Sequence, residues 1–496
     1  MATLLSRLIE VAASNAQRIA MVDGARHATY GMFLAQARAC AATLRARGLN
    51  AGDRVAIVLP NRLEAATTIY GIWLAGGVAV PLNAQARSRD FAPWLRHCGA
   101  RIVVHERDHA DIGQALQEAD LDVQPLSLDR DTGYPEAAFE QCHDPAPDAL
   151  ALLLYTSGTT GAPKGVMLSH ANLLANAEAV IDYLQLTADD SVLDVLPFYY
   201  AYGASVLHTH LLCGARIVLA PSMMFPHLVT QALQSECVTG FCGVPSTYAL
   251  LLAHVSLADL NVPTLRYLAQ AGGAMPAALV RRLRDALPHA RLFLMYGQTE
   301  ATSRLTYLPP EQLDAHPGCV GSPLRGVEIR IRREDGAWAG ACEAGEVCAR
   351  GPSIMLGYWN NPEATSAALR EGWLHTGDLG HLDAEGYLYL DGWRSDMIKT
   401  GAHRVNPADI EEAIAELPWV IEAAVVGVDD DILGQVIKAF VVVAQEQPRG
   451  EDRIRAHCRA RLAPYKVPKH VQFIGTLPRT ASGKVRRVQL TELETS

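Results

Sequence analysis

The stretch Tyr155-Thr-Ser-Gly-Thr-Thr-Gly-Ala-Pro-Lys-Gly165, placed directly after the apolar run Ala149–Leu154, restricts this chain more than any other feature. The apolar run reads as a buried strand. It empties into small hydroxylated residues and glycines, so the strand ends in a loop whose main chain can approach a bound group. Gly158, Gly161 and Gly165 carry no side chain to hold a ligand away. Thr156, Ser157, Thr159 and Thr160 add hydroxyl donors, and Lys164 adds a point charge. Such a loop suits phosphate. It is not a Walker A loop, because GxxxxGK[ST] does not fit the spacing.

The rest of the chain supplies no general attraction for an anion. With 53 acidic against 43 basic residues the formal charge is −10, which gives no pull toward nucleic acid or anionic lipid. A polyanion site must therefore be built locally, from amides, single cations and metal. A chain of 496 residues exceeds one ordinary core, so two or more domains are expected.

Segments such as Arg54–Pro60 and Gly99–His105 read as buried strands between helical patterns. Cys-Gly-Ala-Arg-Ile-Val occurs at Cys98–Val103 and again at Cys213–Val218, with a looser echo at His289-Ala-Arg-Leu-Phe. Each follows a helix-like stretch, so glycine can end a helix and the next residues can enter a strand. Shared helix-to-strand grammar explains the repeat more simply than duplication. Alternating strands and helices imply layered α/β architecture. The Asp144–Asp148 stretch, with Pro145 and Pro147, reads as a connection within this part.

Beyond Asp391 the pattern changes. Asn406 is a good N-cap, Pro407 suits the first helical position and Asp409 favours the positive helix end. Ile410, Ala413, Ile414 and Leu417 then share a face, and strands are expected over Ile421–Val428 and Ile437–Val443. This predicts a small α+β domain over residues 392–496, following a larger one over 1–391, with a polar hinge at Asp391–Asp396.

The ten cysteines form no CxxC; Cys237 and Cys242 come closest, and are expected to be buried free thiols. His208 and His210 would share a face in strand spacing, yet no third ligand accompanies them, and packing histidines are the simpler reading. The longest apolar run, Ile69–Leu82, falls short of the ~20 residues a membrane span needs. It also contains Gly76, Gly77 and Pro81. No secretory signal is read at the N-terminus, where Arg7 and Glu10 interrupt the apolar residues, and a cytoplasmic location is expected.

Taken in order, the motifs resemble those of the adenylate-forming superfamily of acyl-CoA synthetases, stand-alone adenylation enzymes and luciferases, over nearly the whole length. Tyr296-Gly297-Gln298-Thr299-Glu300 resembles the family's YGxTE. The resemblance implies that Thr299 contacts phosphates, Glu300 holds magnesium and Tyr296 lies near adenine. Magnesium does prefer a carboxylate with phosphate oxygens. Gly272 and Gly273 resemble the segment that lets nucleotide and acyl chain lie against main chain. Trp373-Leu-His-Thr-Gly-Asp378 resembles xTGD, in which Asp378 holds the ribose hydroxyls. Pro478-Arg-Thr-Ala-Ser-Gly-Lys484 matches PxTxSGK, which makes Lys484 the cation that meets negative charge as a carboxylate attacks the α-phosphate. Lys399–Pro407 resembles the loop that enters the cleft for the second step, with Arg404 near phosphate.

The chain departs from this pattern in two places. The hinge reads Gly392-Trp393-Arg394-Ser395, so Trp393 stands where relatives have a ribose-holding arginine and Arg394 is the residue that would substitute. Ala402 stands where relatives often have glycine beside the pantetheine path.

Pro197-Phe-Tyr-Tyr-Ala-Tyr-Gly203 resembles the start of the acyl pocket, which makes Tyr200, Tyr202 and Gly203 substrate residues. Tyr200 stands where many CoA ligases have histidine. The stretch Tyr202–Ser205 lacks the aspartate that amino-acid-activating relatives use, and an unpaired ammonium in a closed pocket would be costly. The resemblance thus implies ATP and Mg2+ as cofactors, a small carboxylic acid as substrate, and CoA as thiol acceptor. A stand-alone loader of a carrier protein's phosphopantetheine, with an acid or an amino acid such as proline, is the alternative. A nucleotide-binding regulator without turnover is a third reading, and would be expected to lack Lys484 or Glu300.

Overall fold

Short apolar runs become the strands of three sheets in the computed structural model, which describes residues 3–107, 109–118, 122–129, 133–135, 139, 143–156, 163–220, 223–393, 398–400, 403–430, 434–443, 450–462, 464–480 and 485–492. Among the described residues the sheets hold fourteen, seven and five strands. On one side of the largest, Ile19–Asp23, Arg216–Leu219, Ser191–Asp194, Gly240–Gly243, Tyr267–Gln270 and Arg291–Tyr296 lie parallel in that order. In the second, Leu150–Thr156, Val78–Pro81, Arg54–Val58, Ala100–Glu106 and Gln124–Leu128 form another parallel run. Parallel neighbours need crossover connections, and helices on both faces make their strands uniformly apolar. The layered α/β reading is the observed one.

The run Ile69–Leu82 shows this grammar. It is the end of the helix Leu63–Leu74, a turn with Gly76 at φ +78°, and the strand Val78–Pro81. It is apolar because the protein covers both elements. Trp73 is fully buried and its indole N–H donates to the Ala151 carbonyl at 2.7 Å. That bond ties the helix to the strand that feeds the glycine loop.

Both copies of Cys-Gly-Ala-Arg-Ile-Val join a helix to a strand. Gly99 ends Ser88–Cys98 in the left-handed region at φ +59°, before Ala100–Glu106. Gly214, at φ +80°, stands between Ala201–Leu212 and Arg216–Leu219. The two strands belong to different sheets, in keeping with common helix-ending chemistry.

The third sheet contains Val420–Asp430 paired antiparallel with Gly434–Val443. Asn406 caps the helix Pro407–Ala415 by accepting from the Ala408 N–H, and Ile410, Ala413 and Ile414 are buried beneath it. This is the small α+β unit expected near the C-terminus. The strand Leu388–Trp393 still pairs with Trp373–Leu382, whereas Ile398–Thr400 belongs to the third sheet. Arg394, Ser395 and Asp396 lie outside the described residues.

One thiol reading is corrected. Cys242 is fully buried in its strand, but Cys237 is exposed. Cys237 sits at φ +47° just past the helix Pro226–Ser235, in a turn at the surface. No helix among the described residues is long and apolar enough to cross a membrane.

Candidate active site

The strands Leu150–Thr156 and Lys164–Ser169 form a hairpin whose register sets Thr156 opposite Lys164. Ser157, Gly158, Thr159, Thr160 and Gly161, between them, lie outside the described residues, as do Ala402 and Lys484. At the base of the loop the Lys164 ammonium lies 5.7 Å from the centre of the Tyr358 ring. The Tyr358 hydroxyl donates to Glu300 Oε1 at 2.9 Å. Burial and the Glu300 carboxylate raise the phenol above its usual range, so it remains a donor.

Main-chain bonds fix this approach. The amides of Met355, Leu356 and Trp359 donate to the carbonyls of Glu300, Met167 and Gly165, at 2.9, 2.9 and 2.8 Å. The segment 355–359 therefore stitches the Glu300 turn to the phosphate-loop hairpin. Among the described residues nothing hydrogen-bonds Glu300 Oε2, and the side chain is part-exposed. A carboxylate with one oxygen held and the other open fits magnesium, whose remaining ligands come from phosphate and water.

Tyr296–Glu300 continues from the end of the strand Arg291–Tyr296. The chain doubles back so tightly that a Cβ on Gly297 would stand 1.9 Å from the Ser303 carbonyl oxygen. Only glycine fits there. Thr299–Ala301 forms a single 3₁₀ turn, and Thr302 adopts φ +67°, with its hydroxyl donating to the Ser353 carbonyl at 2.6 Å. A threonine held in that region is strain that the surrounding bonds must maintain.

At the start of the same loop the Tyr296 hydroxyl donates to the Asp378 carboxylate. Burial first, and then Asp378, push that phenol well up. Asp378 is buried, and its own amide donates to the Thr376 hydroxyl at 3.1 Å. The register pairs Asp378 with Trp393 across neighbouring strands. One five-residue loop thus carries Asp378 at one end and the Glu300–Tyr358–Lys164 chain at the other, with Thr299 between.

Gly272, at φ +88°, and Gly273 follow the strand Tyr267–Gln270, and the Gln270 side-chain amide donates to the Gly273 carbonyl at 2.8 Å. Tyr202 lies on the helix Ala201–Leu212 and donates to the Ala269 carbonyl at 2.9 Å. The acyl segment is thereby tied to the strand that leads into the glycine segment. The buried Tyr200 hydroxyl has no partner among the described residues, and Arg486 lies near enough to act on it electrostatically. Gly203 has a packing reason to be glycine, since a Cβ would stand 2.2 Å from the Pro197 carbonyl oxygen. Arg404 pairs through its main chain with Lys399; its side chain lies outside the described residues.

His208 and His210 are helical rather than strand-spaced. His208 Nδ1 shares a hydrogen bond of 2.9 Å with Tyr70, and His210 Nε2 one of 2.7 Å with Tyr267. Burial lowers them to about 3 and about 4, so both are neutral packing groups. Two further residues belong to this region without a motif that marks them: Tyr358, within Gly357-Tyr-Trp359, and Arg304, four positions beyond Glu300.

Comparison with known proteins matches residues 8–359 to the family of AMP-binding enzymes and residues 409–484 to the AMP-binding enzyme C-terminal domain. The chain belongs to the AMP-binding enzyme family. It is 32% identical to a long-chain-fatty-acid–CoA ligase of Bacillus subtilis, over 99% of this chain and 95% of that protein. It is 34% identical to a feruloyl-CoA synthase of an Amycolatopsis species, over 94% of each. Among solved structures it resembles the O-succinylbenzoate coenzyme A synthetase of Bacillus subtilis in complex with ATP and magnesium ion. There the TM-score is 0.86 and identity 32%, covering 98% of each chain. This member of the family is an AMP-forming acid–thiol ligase.

Proposed function

We propose that this enzyme converts a carboxylic acid into its CoA thioester through an acyl-adenylate held on the Tyr296–Glu300 loop. The observation that carries this reading is the loop's double attachment, to Asp378 at one end and to Glu300, Tyr358 and Lys164 at the other. A nucleoside triphosphate has the same layout, with ribose at one end and phosphates at the other.

In this reading Asp378 accepts from the ribose hydroxyls, Tyr296 flanks the adenine, and the main chain at Gly272 and Gly273 lies along nucleotide and acyl group. Thr156, Thr299, Lys164 and the loop 157–161 face the phosphates. Glu300 holds magnesium, which when bound neutralises phosphate charge. A substrate carboxylate oxygen forms a bond to the α-phosphorus while the bond to the bridging oxygen breaks, and pyrophosphate carries that electron pair away. Lys484 meets the charge that develops, and fixed positive charge is the main source of rate in such a step. The thiol sulfur of CoA then attacks the acyl carbon, and AMP leaves with the carboxylate's oxygen.

The same reading divides the chain near residues 391 and 392, with the C-terminal part turning between the steps, Arg404 entering the cleft and Arg394 serving the ribose. The relatives' acids, fatty, aromatic and succinylbenzoic, make CoA the first thiol to test and an acid without an α-amino group the first substrate. A cytoplasmic location accords with CoA and ATP supply.

Lys484→Ala should lower hydroxylamine-trapped adenylation by ~10²–10³. An unchanged rate in that variant removes Lys484 from the mechanism. Acyl-CoA should form when CoA is supplied to the purified enzyme; acylation of a holo carrier protein alone would replace CoA as acceptor.

A further inference from the structure

Arg304 is 1% exposed, and its guanidinium keeps its charge at any pH a protein tolerates. A buried cation of this kind is costly unless an anion meets it. Among the described residues none does. Arg304 takes part in no ion pair, and its Nε and Nη1 hydrogens have no acceptor. The groups around it are the Tyr202 ring, 5.0 Å from the guanidinium, with Tyr183 and Cys242. Burial raises both phenols, and pushes the Cys242 thiol up to about 12, so all three are neutral near pH 7.

Its main chain is held firmly. The Asn176 side-chain amide donates to the Arg304 carbonyl at 3.0 Å, and the next amide, Leu305, donates to the Tyr296 carbonyl at 2.8 Å. The main chain of Arg304 is thus fixed beside the Tyr296–Glu300 loop, which holds the adenylate in the reading above, and its guanidinium lies against Tyr202, on the helix where the acyl segment runs. A small cavity beside them is bordered by Asn176, Ala201, Ser205, His208 and Thr302. Three buried polar atoms on its wall, Asn176 Oδ1, Ser205 Oγ and His208 Nε2, also lack partners among the described residues. One water is enough for these three atoms, and the charge that still needs an anion is that of Arg304.

We infer that Arg304 is a specificity-determining residue, and that the preferred acid carries a second carboxylate, remote from the one activated, which the guanidinium binds. This inference rests on the acid-activating reading of the site. A monocarboxylic acid leaves the cation unpaired, so the site discriminates against it; sites built around a buried polar partner reject analogues that lack it strongly.

The test is pyrophosphate release with CoA and three matched pairs: hexanoate against adipate, octanoate against suberate, and 3-phenylpropanoate against 3-(2-carboxyphenyl)propanoate. The intact enzyme should favour the diacid in at least one pair by about 10-fold or more in kcat/KM. Arg304→Gln should lower the diacid-to-monoacid ratio by a similar factor, mainly through KM, and Arg304→Lys should restore part of it. Thermal melting of each variant reports folding separately. Turnover of monoacids with no diacid preference in any pair overturns the role of Arg304 and leaves acid activation standing. Equal loss on both members of a pair in Arg304→Gln makes the residue structural and also overturns the inference. Pyrophosphate release with no acid of either class contradicts acid activation itself.

Discussion

Tyr358 binds the phosphate end of the site together with two functional groups, its ring against Lys164 and its hydroxyl on Glu300. Tyr358→Phe keeps the ring and deletes the donor. Hydrogen bonds to charged groups contribute about 1.5–3 kcal/mol, so pyrophosphate exchange should fall roughly 10-fold or more. Half-saturating magnesium should rise, because the metal-facing carboxylate loses its anchor. An unchanged rate and magnesium dependence would make the contact incidental. Glu300 itself was legible from its motif, but Tyr358 was not, because 58 residues separate the pair and only the bonds of segment 355–359 bring them together. Arg304 was visible as a letter; its burial and missing counter-ion were not.

At the scale of elements, Asp194 closes the strand Ser191–Asp194 and positions the acyl segment that follows. Its carboxylate accepts from the Leu196 amide at 3.1 Å and from the Asn61 side chain at 3.2 Å, while Asn61 accepts from the Phe198 amide at 3.0 Å. Burial raises Asp194 from 3.8 to about 8, against the smaller opposing effect of the Leu196 bond. The folded state thus keeps a proton that the unfolded chain releases above the ordinary carboxylate range. Stability on this account declines as pH rises from about 4 toward 8, where the folded-state proton also leaves. Asp194→Asn stays neutral throughout, so its melting temperature should gain on the unsubstituted protein between pH 5 and pH 8. A constant difference across that range would show that Asp194 does not titrate as described.

Elements with strong local chemistry were readable. Asn406-Pro407 announced a helix start, and Gly99 and Gly214 announced helix ends, because capping depends on neighbours in sequence. The helix Ala201–Leu212 was harder. Nearly all of it is buried, so it shows no polar face to give a helical period, and His208 and His210 resemble alternating strand residues. Cys237 departs from its sequence setting for a related reason: apolar neighbours surround it in sequence, yet it falls in a turn.

Across the molecule, the parallel runs of the two large sheets and a small α+β unit follow from strand and helix alternation, but the order of strands does not. Arg216–Leu219 lies between Ile19–Asp23 and Ser191–Asp194, an arrangement set by packing over nearly two hundred residues. The same long-range packing brings the hairpin, the Tyr296 loop and Asp378 to one place, and the chemical claim depends on that meeting. It is tested most directly by isotope transfer. An acid that drives pyrophosphate release is labelled with ¹⁸O in its carboxyl group, turned over with ATP and CoA, and the AMP is analysed by mass spectrometry. Attack of the carboxylate on the α-phosphorus predicts one labelled oxygen in each AMP formed. Unlabelled AMP, or label in inorganic phosphate, would contradict an acyl-adenylate at this site.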